Sequence, residues 1–354
     1  MTTIPTDPVH QLKTILAEHL PWHGARLSFL AHFLLALIKV RSVNLAELAT
    51  GFGGQAKVES HYKRLQRFFR SFEFDYDDLA RLLVRLVPVG EGPWYLTMDR
   101  TNWQFGKADL NLLVLGIVHH GIAVPIFWTV LDKAGNSNTA ERIALLQRFL
   151  AVFGVDRIAA LLADREFVGA DGFTWLQQQR IPFHQRLKRD TLIPNSWNQL
   201  IRADRLFGSL KPGQALDLTG RRPVWGCFVT LSALRLADGD FLIIASSLAP
   251  QAQAIEAYAR RWEIETLFGC LKTRGFNFED THLVHAERLS KMLGLLALAF
   301  AWTYQTGKLR HEQEPVLFKK HFNAPSSPFS ATASTSSATA CSISTNDGRI
   351  FCGA

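Results

Sequence analysis

The chain has 354 residues, 47% of them hydrophobic, and a net charge of +8 at neutral pH. That much apolar sequence supports a large core in two or three structural units, and the basic balance favours an anionic partner, nucleic acid being the commonest. The four cysteines, at 227, 270, 341 and 352, form no C-x-x-C pair, so neither a zinc ribbon nor a disulfide framework is suggested and a reducing compartment fits.

No secretory signal is expected, because residues 1–20 are polar and lack an apolar h-region. The most apolar stretch, Leu27 to Val40, contains His32 and Lys39 and is too short to span a bilayer. It reads as a buried helix of a soluble, cytoplasmic protein without a membrane partner.

Residues 8–87 read as helical, with apolar residues at helical spacing over His10 to Leu20 and Ala25 to Lys39. Asn44 can cap a short helix that Gly51, Gly53 and Gly54 end. A second helix is expected from about Lys57 to Phe69. Two helices about a glycine-containing turn suggest a helix-turn-helix, with Lys57, His61, Lys63, Arg64, Arg67 and Arg70 facing a DNA backbone or groove. The same spacing also suits an ordinary helical pair whose Tyr62, Leu65, Phe68 and Phe69 are core. A helical DNA-binding domain over residues 1–90 is the working expectation.

From Trp94 the pattern changes to strands. Trp94 to Met98 predicts a short strand ending at Asp99, followed by a polar turn over Arg100 to Trp103. Asn111 to His119 and Ile122 to Leu131 predict two more strands, turned by His120-Gly121. Asn138 to Phe153 predicts a helix, Ile158 to Ala163 a buried strand ending at Asp164, Gly169 to Gln179 a helix and Phe183 to Leu187 a strand. The order β-β-β-α-β-α-β, with the fourth strand beside the first, is the ribonuclease-H-like arrangement of a mixed α/β fold. It would bring Asp99 and Asp164 side by side and fills residues 91–189.

Residues 190–250 break that alternation and predict a β-rich insertion, with strands at about Val224 to Leu236 and Phe241 to Ala245 joined by Asp238-Gly239. Basic residues here interleave with Trp197 and Trp225, which suits a nucleic-acid surface if the tryptophans are not simply core. Residues 251–322 complete the core, ending in one or two helices over His282 to Lys308. Ala324 to Thr345 is almost wholly Ser, Thr, Ala and Pro, so residues 323–354 read as a disordered or foreign tail.

Tyr258 to Lys272 predicts one helix of about four turns. Its Tyr258, Arg261, Glu265 and Lys272 fall within an arc of roughly 60° at about 100° per residue. A carboxylate flanked by cations suits a metal ion with a phosphate, although an Arg/Glu pair four residues apart can equally be a solvated ion pair. Asp99 and Asp164, ending buried strands, add the hard oxygen donors that Mg²⁺ requires.

The spacing Tyr258-x2-Arg261-x3-Glu265-x6-Lys272 resembles the Y-R-E-K signature of the IS4 family of bacterial insertion-sequence transposases. Met98-Asp99-Arg100-Thr101 and Ala163-Asp164-Arg165-Glu166-Phe167 resemble the blocks around that family's two aspartates. The likeness covers roughly residues 25–320. It implies a DDE transposase with a ribonuclease-H-like core and a β-strand insertion. Asp99, Asp164 and Glu265 would be catalytic and bind two Mg²⁺, for which Mn²⁺ could substitute. Tyr258, Arg261 and Lys272 would contact phosphates, and Trp225 would stack on an extruded base.

The resemblance also implies terminal inverted repeats and target DNA as partners, a homodimer on paired ends, no small-molecule cofactor and a place at the bacterial nucleoid. The departure is the Ser/Thr/Ala tract after Phe318-Lys319-Lys320-His321, as a frameshift or truncation would leave it. A decayed transposase acting only as a DNA-binding protein, or a nuclease without strand transfer, is the alternative.

Overall fold

The structure is a computed structural model that describes residues 7–106, 108–131, 133–249, 253–272, 274–313, 341–344 and 349–352. Five helices open the chain: α1 (Pro8–His19), α2 (Gly24–Val40), α3 (Leu45–Gly51), α4 (Val58–Ser71) and α5 (Tyr76–Leu86). Side-chain caps set several of their starts, because the first N–H groups of a helix have no partner within it. Asn44 accepts from the Ala46 N–H at 3.0 Å, and Asp75 accepts from Asp77 and Asp78 at 2.9 and 3.0 Å. The apolar α2 is a buried helix, as expected, with Leu30, Phe33, Ala36 and Leu37 sealed from solvent. Among the described residues no single helix is long and apolar enough to cross a membrane.

The core follows: β1 (Trp94–Phe105), β2 (Ala108–His119), β3 (Ile122–Leu131), α6 (Thr139–Phe153), β4 (Ile158–Ala163), α7 (Ala170–Gln178) and β5 (Phe183–Arg186). The sheet runs β3-β2-β1-β4-β5. β1, β2 and β3 are an antiparallel meander, and β4 joins β1 in parallel, with β5 parallel to β4. The fold is therefore mixed α/β with the ribonuclease-H-like order. His120 and Gly121 turn β2 into β3 with φ of 47° and 88°, the left-handed pair that a two-residue hairpin needs. Asn138 opens α6 with a capping box to Glu141.

β1 differs from its expectation. It does not stop at Asp99 for a turn over 100–103, but continues paired to β2 as far as Phe105↔Ala108. The polar residues there alternate with buried Thr101 and Trp103, so period-two patterning extends the strand and the turn falls at Gly106. Only the parallel pairing to β4 stops before Asp99, at Met98↔Ala163.

The β-rich insertion extends the main sheet. It holds β6 (Leu192–Pro194) and β7 (Leu200–Arg202) as a small hairpin, then α8 (Ala203–Leu206), β8 (Ala215–Asp217), β9 (Arg222–Val224), β10 (Cys227–Arg235) and β11 (Phe241–Ser246). β11 pairs antiparallel with β5, so the main sheet continues through β11, β10 and β8. Left open, the edge of β5 would expose unpaired backbone groups, and the insertion covers it.

The chain returns as α9 (Ala254–Ala259), a 3₁₀ turn (Arg260–Trp262) and α10 (Glu263–Leu271). The single expected helix is thus three pieces, and Lys272 has left it with ψ of −131°. The long α11 (Ala286–Gln313) packs against α5, α2, α4 and β3. Gly294 permits this closeness: a Cβ there would lie 2.9 Å from Leu79 on α5 and 3.4 Å from the Trp128 ring on β3. In the tail, β12 (Cys341–Ser344) pairs antiparallel with β13 (Arg349–Cys352). The rest of the tail, and Phe318 to His321, lie outside the described residues.

The turn after α10 fixes where Lys272 points. A Cβ on Gly275 would come within 1.9 Å of the Cys270 carbonyl oxygen, a backbone atom that cannot swing away. Gly275→Ala should destabilise the chain by about 2 kcal/mol or more, as an overpacked backbone contact does. Urea unfolding would read this, and an unchanged midpoint would contradict the clash.

Candidate active site

Asp99 and Asp164 each stand one residue beyond the last parallel pair of β1 and β4. Neighbouring strands lie about 4.8 Å apart, so the pairing itself brings two carboxylates 65 positions apart in the chain to the same edge. Each carboxylate curls onto its own following backbone. Asp99 Oδ1 accepts the Arg100 N–H and Asp164 Oδ1 the Arg165 N–H, both at 2.7 Å.

The α9–α10 segment completes the group. Arg261, buried in the 3₁₀ turn, donates from Nη1 to Asp99 Oδ2 and from Nη2 to Glu265 Oε1, each at 2.9 Å. Tyr258, buried on α9, donates its hydroxyl to Asp164 Oδ1 at 3.2 Å. Thr97 on β1 donates to the Arg261 carbonyl at 3.5 Å and ties the turn to the sheet. All three acids thus touch one buried guanidinium or its neighbouring phenol.

Electrostatics follow from burial. Burial pushes the Asp99 carboxyl up to about 6, against the pull of Arg261. Glu265 and Glu166 push it the same way. Burial alone would depress the Arg261 guanidinium, but Tyr258, Asp99, Asp164 and Glu265 together hold it above its ordinary value. Burial likewise pushes the Tyr258 phenol well above its ordinary range. The phenol is a permanent donor here.

The donor set suits a divalent cation. It consists only of carboxylate oxygens, the hard ligands that Mg²⁺ and Mn²⁺ prefer. Oε1 of Glu166 is buried near this group without a hydrogen-bond partner, a lone pair that a cation or its water could use. Among the described residues no three such side chains already form a closed metal cluster. Arg261 holds Asp99 and Glu265 as their counter-ion instead.

The family described as the transposase DDE domain matches residues 96–302, more than half of the chain, and spans all three acids. The chain belongs to that family. Membership places it among DNA transposases, enzymes of strand cleavage and polynucleotidyl transfer. No protein of curated function matches it in sequence. Among solved structures, a piggyBac transposase synaptic complex with hairpin DNA aligns over 98% of this chain and 93% of its own, at 10% identity and a TM-score of 0.41. The catalytic domain of human endonuclease V aligns over 68% and 100%, at 14% identity and a TM-score of 0.29. Bacillus subtilis endonuclease V aligns over 70% and 94%, at 10% and 0.25.

The remaining expected residues of this transposase-family chain lie apart from the three acids. Lys272 is engaged by Glu279 at 2.7 Å, over the Trp103 ring. The helix that was to carry it beside Glu265 ends one residue too early. Lys63, Arg64 and Arg67 are exposed on α4, with Arg64 lying over the Phe29 ring. His61, expected to face DNA, is buried against Phe52 because it falls on the apolar side of α4 with Leu65 and Phe68. Trp225 sits at the β9–β10 turn with φ of 48°, partly exposed and edge-on to Phe173 at 5.2 Å. Trp197 is 79% exposed, so neither tryptophan is simply core.

Three residues escaped the sequence reading. Glu166 pairs with Arg100 at 3.6 Å, Arg100 also donates to Asn136 at 3.0 Å, and Arg186 of β5 approaches Asp164 at 3.9 Å. The signal for Glu166 was its place two residues after Asp164. Arg186 is visible only once β5 is known to lie beside β4.

The folded chain binds the Asp99 proton more tightly than the unfolded chain does. Ionisation therefore costs nothing below about pH 4 and opposes folding increasingly up to about pH 6, beyond which the penalty is constant. Without divalent cations, Asp99→Asn should stabilise the protein at pH 8 by up to about 3 kcal/mol, and this gain should vanish near pH 4. Denaturant unfolding at the two pH values reads it. A variant no more stable at pH 8 would count against the buried carboxylate.

Proposed function

We propose that this chain is the transposase of an IS4-type insertion sequence, which cuts at terminal inverted repeats and joins the freed 3′-hydroxyl to target DNA. The observation that supports the reading is the meeting of Asp99 and Glu265 on one buried guanidinium, with Asp164 on the adjoining strand. Family membership and the basic charge support DNA as the partner.

Asp99, Asp164 and Glu265 would hold two Mg²⁺, or Mn²⁺ in their place. Bound there, the ions supply the charge that activates the attacking oxygen and neutralises the leaving one. Arg261 has a rigid fork that fits a carboxylate or a phosphate equally well. In the DNA complex it turns from the acids to phosphate oxygens beside Tyr258, while Lys272 leaves Glu279 for a phosphate of its own. Lys63, Arg64 and Arg67 carry duplex backbone on the outer face of α4. Trp225, already partly exposed on a turn, stacks on an extruded base. The assembly is a homodimer on paired ends, without a small-molecule cofactor, at the bacterial nucleoid.

Glu265→Gln keeps the size and loses the charge of one ligand. It should lower Mg²⁺-dependent cleavage of a duplex carrying the element's ends by roughly 10³-fold or more, while end binding stays near wild type. Retained cleavage would sink the assignment, and joining of the product to a second duplex separates a transposase from a nuclease.

Arg261 and a cation compete for the same oxygens. In the absence of DNA, Arg261→Ala should bind Mn²⁺ about tenfold more tightly than wild type, read as the loss of free-ion electron paramagnetic resonance signal. Equal affinities would remove Arg261 from any role as resident counter-ion.

A further inference from the structure

A second basic site lies away from the acids, where the N-terminal helices meet the chain that follows α10. A cleft of about 330 Å³ opens between α4, the start of α3 and residues 282–288. Its floor is apolar, with buried Phe69 and Leu283, while Gln66, Arg70, His282 and Arg288 stand at its sides. No carboxylate lines it.

Among the described residues neither guanidinium forms a salt bridge, although the charge of Arg288 is felt by Glu287. Arg70 pairs with no acid among the described residues. The acid next to Arg288, Glu287, is engaged by Lys291 at 2.6 Å. Asn44 already caps α3, so that helix contributes a wall and no binding groups are assigned to it. Two forked donors free of salt bridges among the described residues, over an apolar floor that no acid lines, suit a phosphate.

Two further observations identify which phosphate. Lys63, Arg67 and Arg70 are spaced by four and three, so they form one stripe along exposed α4 that ends at the cleft. The other wall is tied to the strand that carries Asp99. The His282 ring stacks on Phe105 at 4.8 Å, and β1 runs without a break from Asp99 to Phe105. Six strand residues span about 20 Å, the rise of about six nucleotide steps of duplex.

We propose that this cleft grips the DNA backbone about six nucleotides from the phosphate that reacts at Asp99, with Arg70 and Arg288 on one phosphodiester. The site would join the helical region and the core across a single bound duplex end. Its place in the reaction rests on the transposase reading, while its affinity for backbone phosphate does not.

The test uses the full chain and duplexes carrying the element's end. The double variant R70A/R288A should lower the steepness of the log K against log salt plot by about one, as loss of one phosphate contact does. R70K/R288K should keep the wild-type slope, which separates lost charge from misfolding. A single methylphosphonate placed five to seven nucleotides from the cut should weaken wild-type binding but leave R70A/R288A unaffected. An unchanged slope in R70A/R288A would overturn the proposal, as would additive methylphosphonate and R70A/R288A effects. So would inorganic phosphate that displaces DNA from wild type at constant ionic strength but not from R70A/R288A, since that marks a free-anion site. A reduced slope in a chain that never cleaves would leave the cleft standing and remove the transposase reading. Cleavage with an unchanged slope would do the reverse.

Discussion

The contact on which the rest depends is the buried Arg261 guanidinium between Asp99 and Glu265. Backbone pairing of β1 and β4 forces two carboxylates to one edge, and α10 brings a third. Charges so placed repel each other, and burial raises the cost of each. One cation that is itself sealed from solvent offsets part of both effects, since burial still holds the Asp99 carboxyl up at about 6. Breaking it would leave a buried charge unpaired, commonly a loss of about 3–5 kcal/mol before allowance for the partial exposure of the acids. The site is thus assembled around a counter-ion supplied by the chain, and its affinity for any other cation is set by how readily that arginine leaves.

Arg261 is available because its helix is not regular. A 3₁₀ turn between α9 and α10 places its backbone carbonyl against Thr97 and its side chain under the acids. Tyr258 before the turn reaches Asp164, while Glu265 after it reaches Arg261. Short 3₁₀ segments within helices often mark strain or a hinge. Here the segment lies where a side chain must choose between protein carboxylates and a ligand. The same break explains why Lys272 parts from the others: α10 ends at Leu271, and Glu279 engages the lysine instead.

Much of this was legible in the sequence. Ile158 to Ala163 and Ile122 to Leu131 are strands with the expected limits, since continuous apolar runs between turn residues leave little choice. The adjacency of Asp99 and Asp164 followed from strand order alone. What could not be read was decided by tertiary contact. Arg100 to Trp103 looks like a turn in isolation, yet β2 supplies the hydrogen-bond partners that keep it a strand. That the β-rich insertion joins the main sheet is visible only once β5 is seen to offer it an edge. His61 reads as a cation on a basic helix until Phe52 and α2 define which side is inside. The site's direction of pairing was equally hidden, because spacing on a helix puts Arg261 and Glu265 on one face but does not say which acid across the sheet they meet.

The helical region and the core are one packed body, which gives the distance between acids and basic cleft its meaning. Lys291 of α11 is buried and donates to the Phe69 carbonyl on α4 at 3.3 Å. Trp128 of β3 donates to the Ser290 carbonyl at 3.2 Å, and Gly294 lets α11 press between α5 and the sheet. A single helix therefore fixes α4 against the strands that carry the site. Since β1 itself runs from Asp99 to the edge of the cleft, neither end can move without disturbing a shared strand. A duplex held on both would be positioned by a rigid ruler, and binding energy gathered on α4 would be delivered as alignment at the acids rather than lost in a flexible linker.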